Sequence, residues 1–396
     1  MKEGGKHGPR AALTVASLAL FTDALLYGLA VPVLPLLASD QSASTVGVGL
    51  LFAAYAAALV AFTPIAGLAV DRLGTRSTML AGSAPLAAAT LLLVVVAAPA
   101  LLVAARALQG AAAAVTWTAS LALIAETHPP KTRGPAMGIA LSAVGVGVLA
   151  GPPLGGALAD WLGPHAPFML GAGVAIADAI ARLTLLPVTR QRAPVERAPT
   201  LRRRPDLLRI AALTALGAAV IAFLEPILPL HARSTLGLQR TTIGLLFGAG
   251  ALAAAVGPPL VGLAQRAVAA QRLAAAGAAV AAAGLAATAL VEDPWLLAAA
   301  LAVLGMSAAG VLTPTLTMIA DIAERDDPPA YGTLYALYNL AYASGLAAAP
   351  FLAGLLNQAA DFTTATLTAA VVAALAAAAL LRPAGGAPRG ERPGTS

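Results

Sequence analysis

No cysteine occurs among the 396 residues, which excludes disulfides, thiol catalysis and thiolate metal sites. Histidine is nearly as scarce. His7, His128, His165 and His231 fall in connecting segments or near the ends of apolar runs, without ligand spacing, so no metal site is expected. Charge is the third shortage: Asp, Glu, Lys and Arg make up 11% of the chain, against roughly 25% in a soluble domain. That excludes a water-soluble globular fold. The apolar runs are continuous and do not alternate, which excludes a membrane β-barrel. The run after Arg10 is too long for the apolar core of a signal peptide and lacks a small-residue cleavage site, so it reads as a first spanning helix.

What the chain has instead is apolar length. It is 59% hydrophobic, with a mean hydropathy of +0.84. Runs at 11–37, 44–70, 78–98, 101–126, 134–158, 166–187, 208–232, 241–265, 272–291, 296–322, 331–356 and 361–382 predict twelve spanning helices, since each crossing needs about 20 residues. The fold class is therefore an all-α polytopic membrane protein. Only Ala98-Pro99-Ala100 divides the third span from the fourth.

Basic residues orient these spans. With the N-terminus inside, 20 of the 24 Lys and Arg residues fall in cytoplasmic segments. Only Arg233 and Arg240 fall outside, while Arg106 and Arg182 lie within spans. The asymmetry places both termini in the cytoplasm of a cell membrane. It also accounts for the net charge of +6 with no nucleic-acid partner.

The chain repeats itself. Pro32-Val33-Leu34-Pro35-Leu36 returns as Pro226-Ile227-Leu228-Pro229-Leu230. Pro64-Ile65-Ala66-Gly67-Leu68-Ala69 returns as Pro259-Leu260-Val261-Gly262-Leu263-Ala264, and Pro152-Pro153-Leu154-Gly155-Gly156 has an echo in Pro350-Phe351-Leu352-Ala353-Gly354. The first prolines of the three pairs are offset by 194, 195 and 198 residues. Three similar offsets in one order predict two related halves. Parallel repeats of this kind mark transporters whose substrate site lies between the halves at mid-depth. The expected organisation is a six-helix bundle over 1–187, a cytoplasmic Arg- and Pro-rich linker over 188–207, a second six-helix bundle over 208–382 and a disordered cytoplasmic tail over 383–396.

Two motifs stand out. After the second span the chain reads Gly67-Leu68-Ala69-Val70-Asp71-Arg72-Leu73-Gly74-Thr75-Arg76. Gly74 allows a tight turn, and Asp71 can face the positive end of a neighbouring helix. The fifth span carries Gly145, Gly147, Gly151, Pro152, Pro153, Gly155 and Gly156, small residues that admit close packing and a kink. The loop resembles the major facilitator superfamily motif G-x-L-A-D-R-x-G-R-R at Gly67, Asp71, Arg72, Gly74 and Arg76, and departs from it at Ala69, Val70 and Thr75. In that family the loop locks the halves in an outward-open state. The fifth span resembles the antiporter motif G-x-x-x-G-P-x-x-G-G of the drug/proton branch, with Gly147, Gly151, Pro152, Gly155 and Gly156 in its positions. Further stretches are similar to the vesicular monoamine transporters and their bacterial relatives. They are Asp23-Ala24-Leu25-Leu26 in the first span, Ala105-Arg106-Ala107-Leu108-Gln109-Gly110 in the fourth, Phe223-Leu224-Glu225-Pro226 in the seventh and Asp321 after the tenth. Two departures occur together: Tyr55 stands where that group has lysine, and Asn339 where it has aspartate. The resemblance implies a major facilitator fold of two pseudo-symmetric bundles. It also implies alternating access and proton-coupled antiport of organic cations or amphipathic drugs, powered by a proton gradient with no cofactor.

Ionised side chains within the bilayer cost about 2.5–3.5 kcal/mol each on insertion scales, so each is a candidate site. Asp23 lies mid-span with Tyr27 four residues on, on the same helical face; it is expected to hold a proton or a cation. Glu225 precedes a proline kink and is the leading residue for a substrate cation or proton. Arg106 is a gate, a tuner of a carboxylate or one side of a static ion pair. Asp321 joins this set through the resemblance. Asp178 and Arg182 stand four apart and are expected to pair structurally, and Glu126 is expected at the interface. Tyr331, Tyr335, Tyr338 and Tyr342 form a stripe with Asn339, expected to line a cavity and make cation–π contacts; Trp117 is a lesser candidate of the same kind.

The expected protein is thus a monomeric exporter whose partners are protons, the lipid bilayer and a small cationic or amphipathic substrate. A proton-coupled symporter for a small metabolite is the alternative, and the Gly–Pro motif opposes it. A polytopic enzyme or sensor is a second alternative. No nucleophile–base cluster is evident in the sequence, and the linker and tail are too short for an appended soluble domain.

Overall fold

The structure, a computed structural model, describes residues 8–95, 98–186, 205–324 and 331–381. Most of the expected linker and the expected tail lie outside the described residues. Fourteen helices are present among them. In the first half they are α1 (Pro9–Ala30), α2 (Leu34–Asp40), α3 (Thr45–Leu73), α4 (Thr75–Val95), α5 (Pro99–Thr127), α6 (Pro130–Leu162) and α7 (Ala166–Leu185). In the second they are α8 (Pro205–Ala222), α9 (Leu224–Ser234), α10 (Arg240–Ala264), α11 (Ala270–Leu290), α12 (Pro294–Glu324), α13 (Tyr331–Ala359) and α14 (Phe362–Leu381). Twelve of the resulting segments are long and apolar enough to cross a membrane. Their outer faces expose Ile65, Ile139, Ile180, Val371 and Leu375, side chains that hydrocarbon, not water, suits.

The first and seventh spans differ from the continuous runs expected of them: each breaks into two helices at the repeated proline motif. A proline ring collides with the carbonyl four residues back and offers no N–H. At Pro32 that carbonyl belongs to Gly28, and the chain tightens so that the N–H of Val31 bonds to the Gly28 carbonyl and that of Val33 to Ala30, both at 3.2 Å. At Pro226 the carbonyl is that of Ala222, the last residue of α8. Glu225 therefore sits in the first turn of α9, immediately past a break.

Glycine sets how the helices meet. A Cβ on Gly151 would lie 2.6 Å from the Gly28 Cα, and one on Gly155 would lie 2.4 Å from the Leu29 carbonyl oxygen. This face of α6 thus presses backbone to backbone on α1. The next residue, Gly156, turns the other way and meets the Arg240 carbonyl of α10, while Gly244 of α10 meets the Pro152 carbonyl. The opposite seam repeats the arrangement: Gly354 of α13 meets the Thr45 carbonyl of α3, and Gly49 meets that of Pro350. These four contacts join the two halves at one end of the molecule. Towards the other end the packing thins, and Gly67, Gly138 and Gly262 have nothing within 4 Å of where a Cβ would stand. The exposed Trp161 and Trp295 lie at the joined end, as interfacial aromatic residues do.

Replacing Gly155 with leucine should separate α1 from α6 and cost about 1–3 kcal/mol, the usual range for overpacking. Gly138→Leu, in open space, should stay near wild type. Thermal unfolding of both variants in detergent micelles checks the contrast.

Candidate functional site

Where the two halves meet at mid-depth, the fold gathers Asp23 and Tyr27 of α1, Tyr55 of α3, Arg106 of α5 and Glu225 of α9. All three ions are buried, with relative exposures of 4% for Asp23, 0% for Arg106 and 5% for Glu225. The Asp23 carboxylate accepts the Trp117 indole N–H at 2.8 Å and the Tyr55 hydroxyl at 3.0 and 3.2 Å. Glu225 accepts the Tyr27 hydroxyl at 2.5 Å, a bond from one half to the other.

Arg106 lies between these two carboxylates yet forms no direct ion pair with either. Its guanidinium carbon stands 4.6 Å from the ring centre of Tyr55, 5.2 Å from that of Tyr27 and 5.5 Å from that of Phe52. Three aromatic faces within about 6 Å make a cation–π cage. Nη1 donates to the Gln109 side chain at 2.9 Å, and Gln109 donates on to Thr90 at 3.0 Å. Nε donates to the Leu51 carbonyl at 3.4 Å. Nη2 has no hydrogen-bond partner among the described residues; the ring faces supply its attraction. The close approach of α5 is again glycine's doing, because a Cβ on Gly110 would fall 2.0 Å from the Tyr55 carbonyl oxygen.

Glu225 and Tyr27 also line a cavity of about 100 Å³ between α1 and α6 on one side and α8, α10 and α12 on the other. Its walls are otherwise apolar, with Val148, Val220, Phe247 and Leu301 prominent. Pockets for drug-sized ligands measure roughly 300–1,000 Å³, so in this conformation the cavity takes only part of such a ligand beside one carboxylate. Asp23 does not line it.

The remaining candidates are placed as follows. Asp178 and Arg182 form an ion pair on α7, and Arg182 donates to Thr116 and to the Met79 carbonyl, both at 3.2 Å. Asp321, at the end of α12, is exposed and is not brought to the cluster. Asn339 of α13 is exposed. The side chains of Tyr331 and Tyr335 lie outside the described ones. Tyr338 donates to the Leu312 carbonyl at 3.2 Å, whereas Tyr342 is half-buried. In the loop motif, Asp71 and Arg72 are exposed and Gly74 takes a φ of +83°, closing α3. Thr75 donates to Glu126 at 2.7 Å, tying that turn to the end of α5. Of the antiporter-like motif, Gly147, Gly151 and Gly155 press on α1 around Asp23 and Tyr27, and Pro152 and Gly156 on α10.

Sequence reasoning missed Gln109, Phe52 and Thr90. Gln109 had a signal, being three residues after Arg106 and so on the same helical face. Phe52 and Thr90 had none, as each resembles any other lipid-depth residue. Tyr27 shares a helical face with Asp23 but bonds across the seam to Glu225, and Tyr55 takes the place beside Asp23.

Two repeated bundles of six spans, with ions buried at their junction, define the architecture of a secondary transporter. A family model described as Major Facilitator Superfamily matches residues 16–225 and again 210–396. The chain belongs to the Major Facilitator Superfamily. It is 26% identical over 327 residues to a synaptic vesicular amine transporter of Bos taurus, a match covering 82% of this chain and 63% of that protein. The chain therefore spans somewhat under two thirds of that relative's length. It is 29% identical to a probable vesicular acetylcholine transporter-B of Danio rerio, covering 94% of this chain and 79% of the relative. Among solved structures, a bacterial homolog of the human lysosomal transporter Spinster, inward-facing and unoccupied, superposes with a TM-score of 0.76 at 17% identity, over 95% of this chain and 97% of that one. The human organic anion transporter MFSD10 (TETRAN) superposes with a TM-score of 0.66 at 20% identity, over 94% and 99%. These two establish the fold alone.

Arg106 is the one cation of the cluster, so its replacement by leucine should destabilise the protein, and Asp23→Asn should recover part of the loss. A coupling of about 1–3 kcal/mol is expected in the double-mutant cycle, read from equilibrium unfolding in mixed micelles. Strict additivity would place the guanidinium outside the carboxylate's electrostatic reach.

Proposed function

We propose that this transporter exchanges protons for an organic cation or cationic amphipath and exports it under an inward proton gradient. The observation that carries the reading is the charge count at the junction. With Asp23 and Glu225 ionised and Arg106 cationic, the cluster holds one more negative charge than positive; Asp178 and Arg182 cancel each other. A low-dielectric site with one excess negative charge is stabilised by one added positive charge and by no more. A proton supplies it by neutralising a carboxylate, and a monocation supplies it by binding beside one. Occupancy by either weakens the case for the other, and exchange follows.

The two carboxylates divide the work. Glu225 borders the apolar cavity, which suits the ammonium end of cargo beside an apolar body. Asp23 is enclosed by Trp117 and Tyr55 and suits a proton. Cargo at Glu225 must displace or share the Tyr27 hydroxyl, the mid-depth bond between the halves, so binding and reorientation are mechanically linked. The relatives named for amines and acetylcholine support a cationic cargo. The preponderance of basic residues on one side supports a cell-membrane orientation with both termini cytoplasmic, which makes the joined end the external one. Each charge moved across the membrane is worth about 2.3 kcal/mol per 100 mV. A single chain carries the whole junction, in keeping with a monomer.

Purified protein in liposomes should accumulate a permanently charged tetraalkylammonium probe when the lumen is made acidic relative to the bath, and an uncoupler should abolish it. Asp23→Asn and Glu225→Gln should each lower gradient-driven exchange about tenfold or more, equivalent to at least ~1.4 kcal/mol. Glu225→Gln should also weaken probe binding at equilibrium. Full coupling in both variants would refute the assignment.

A further inference from the structure

The joined end carries a second set of contacts that cargo exchange does not use. Asp160 stands on the last turn of α6 and reaches into the other half. Its Oδ2 accepts the backbone N–H of Thr241 at 2.7 Å and the Thr241 hydroxyl at 2.8 Å, and its Oδ1 accepts the backbone N–H of Arg240 at 3.3 Å. These donors are the first of α10. That helix has no cap of its own, since Gln239, in the N-cap position, makes no side-chain bond.

The repeat places a partner for Asp160 on the opposite seam. An offset of 198 carries Asp160 to Gln358 on the last turn of α13, and an offset of 195 carries Val46 to Thr241. Gln358 Oε1 accepts the Val46 N–H at 3.3 Å, at the start of α3. Each half thus caps a helix of the other. The glycine contacts follow the same symmetry: Gly156, four residues before Asp160, lies on the Arg240 carbonyl, and Gly354, four before Gln358, lies on that of Thr45. Backbone contact fixes the reach of both caps.

The two are not equal. Asp160 is an anion at the positive end of a helix with three hydrogen bonds, and α10 has no substitute. Gln358 is neutral with one bond, and α3 keeps its own Ser44 cap on Gly47 at 3.2 Å. The nearby Arg240–Asp40 pair, at 3.6 Å with Asp40 largely exposed, adds little.

We infer that Asp160 and Gln358 are gating residues: reciprocal helix caps that hold this mouth shut, Asp160 the stronger, and that every opening of the mouth must break both. They touch neither cargo nor the buried ions, so they set the conformational balance and not the affinity.

The absence of cysteine makes the test clean. Spin labels on Ser39→Cys and Ser234→Cys, exposed residues on opposite halves of this mouth, report its width by pulsed electron spin resonance in lipid nanodiscs. Asp160→Ala should raise the separated population roughly three- to tenfold. Gln358→Ala should do so less, and the double variant more than either. Asp160→Asn, which keeps an oxygen acceptor, should lie between wild type and Asp160→Ala; it serves if the alanine variant fails to fold. A wild-type distance distribution in Asp160→Asn and in the double variant would overturn the inference, even with a lowered melting temperature, since a merely structural role moves stability alone. No cargo or pH step enters this readout, so it fails or stands separately from the exchange proposed above.

Discussion

Everything at the centre of this molecule answers to one constraint: charge taken out of water must be balanced where it sits. Arg106 is completely buried between two carboxylates. It is held by ring faces, a glutamine and a carbonyl, and by no direct salt bridge. That arrangement keeps electrostatic balance without locking either acid. A bidentate pair would bind Arg106 to one carboxylate and make that acid's release costly. Distributed attraction through Tyr27 and Tyr55 leaves both acids free to change partners while the cluster stays intact.

The tyrosines are also where the two departures from the vesicular group become intelligible. Where the resemblance to that group implies a lysine, this chain has Tyr55, whose hydroxyl donates to Asp23. By that resemblance a neutral donor replaces a cation, and Asn339 in place of an aspartate removes the matching negative charge. Losing an implied lysine and an implied aspartate together leaves the net charge unchanged. Asn339 itself is exposed.

Much of the architecture was legible beforehand, for a plain reason. Continuous apolar runs can only be spanning helices, and a repeated proline motif survives as a repeated helix break. Asp23, Arg106 and Glu225 were visible as ions within such runs. What could not be read was register between distant segments. Whether Tyr27 serves Asp23 or Glu225 depends on how α1 and α9 face each other across the seam, and no local spacing encodes that. Trp117 is weakly marked for the same reason. Asp321 shows the converse: sequence resemblance gives a carboxylate near a span end a central role, and the structure leaves it exposed near the end of α12, apart from the buried cluster. Asp160 and Gln358 resemble ordinary polar residues at span ends, and only the alignment of the two halves reveals them as a pair.

The seams themselves have a bearing on how such a molecule moves. Where α6 meets α10 and α3 meets α13, main chain lies on main chain, with glycines in place of side chains. Surfaces of that kind have no rotamers to freeze when they close or release when they part. A swing of one bundle against the other would therefore carry little configurational penalty in either direction. A handful of polar bonds, each modest, is then sufficient to decide which face of the membrane the interior meets.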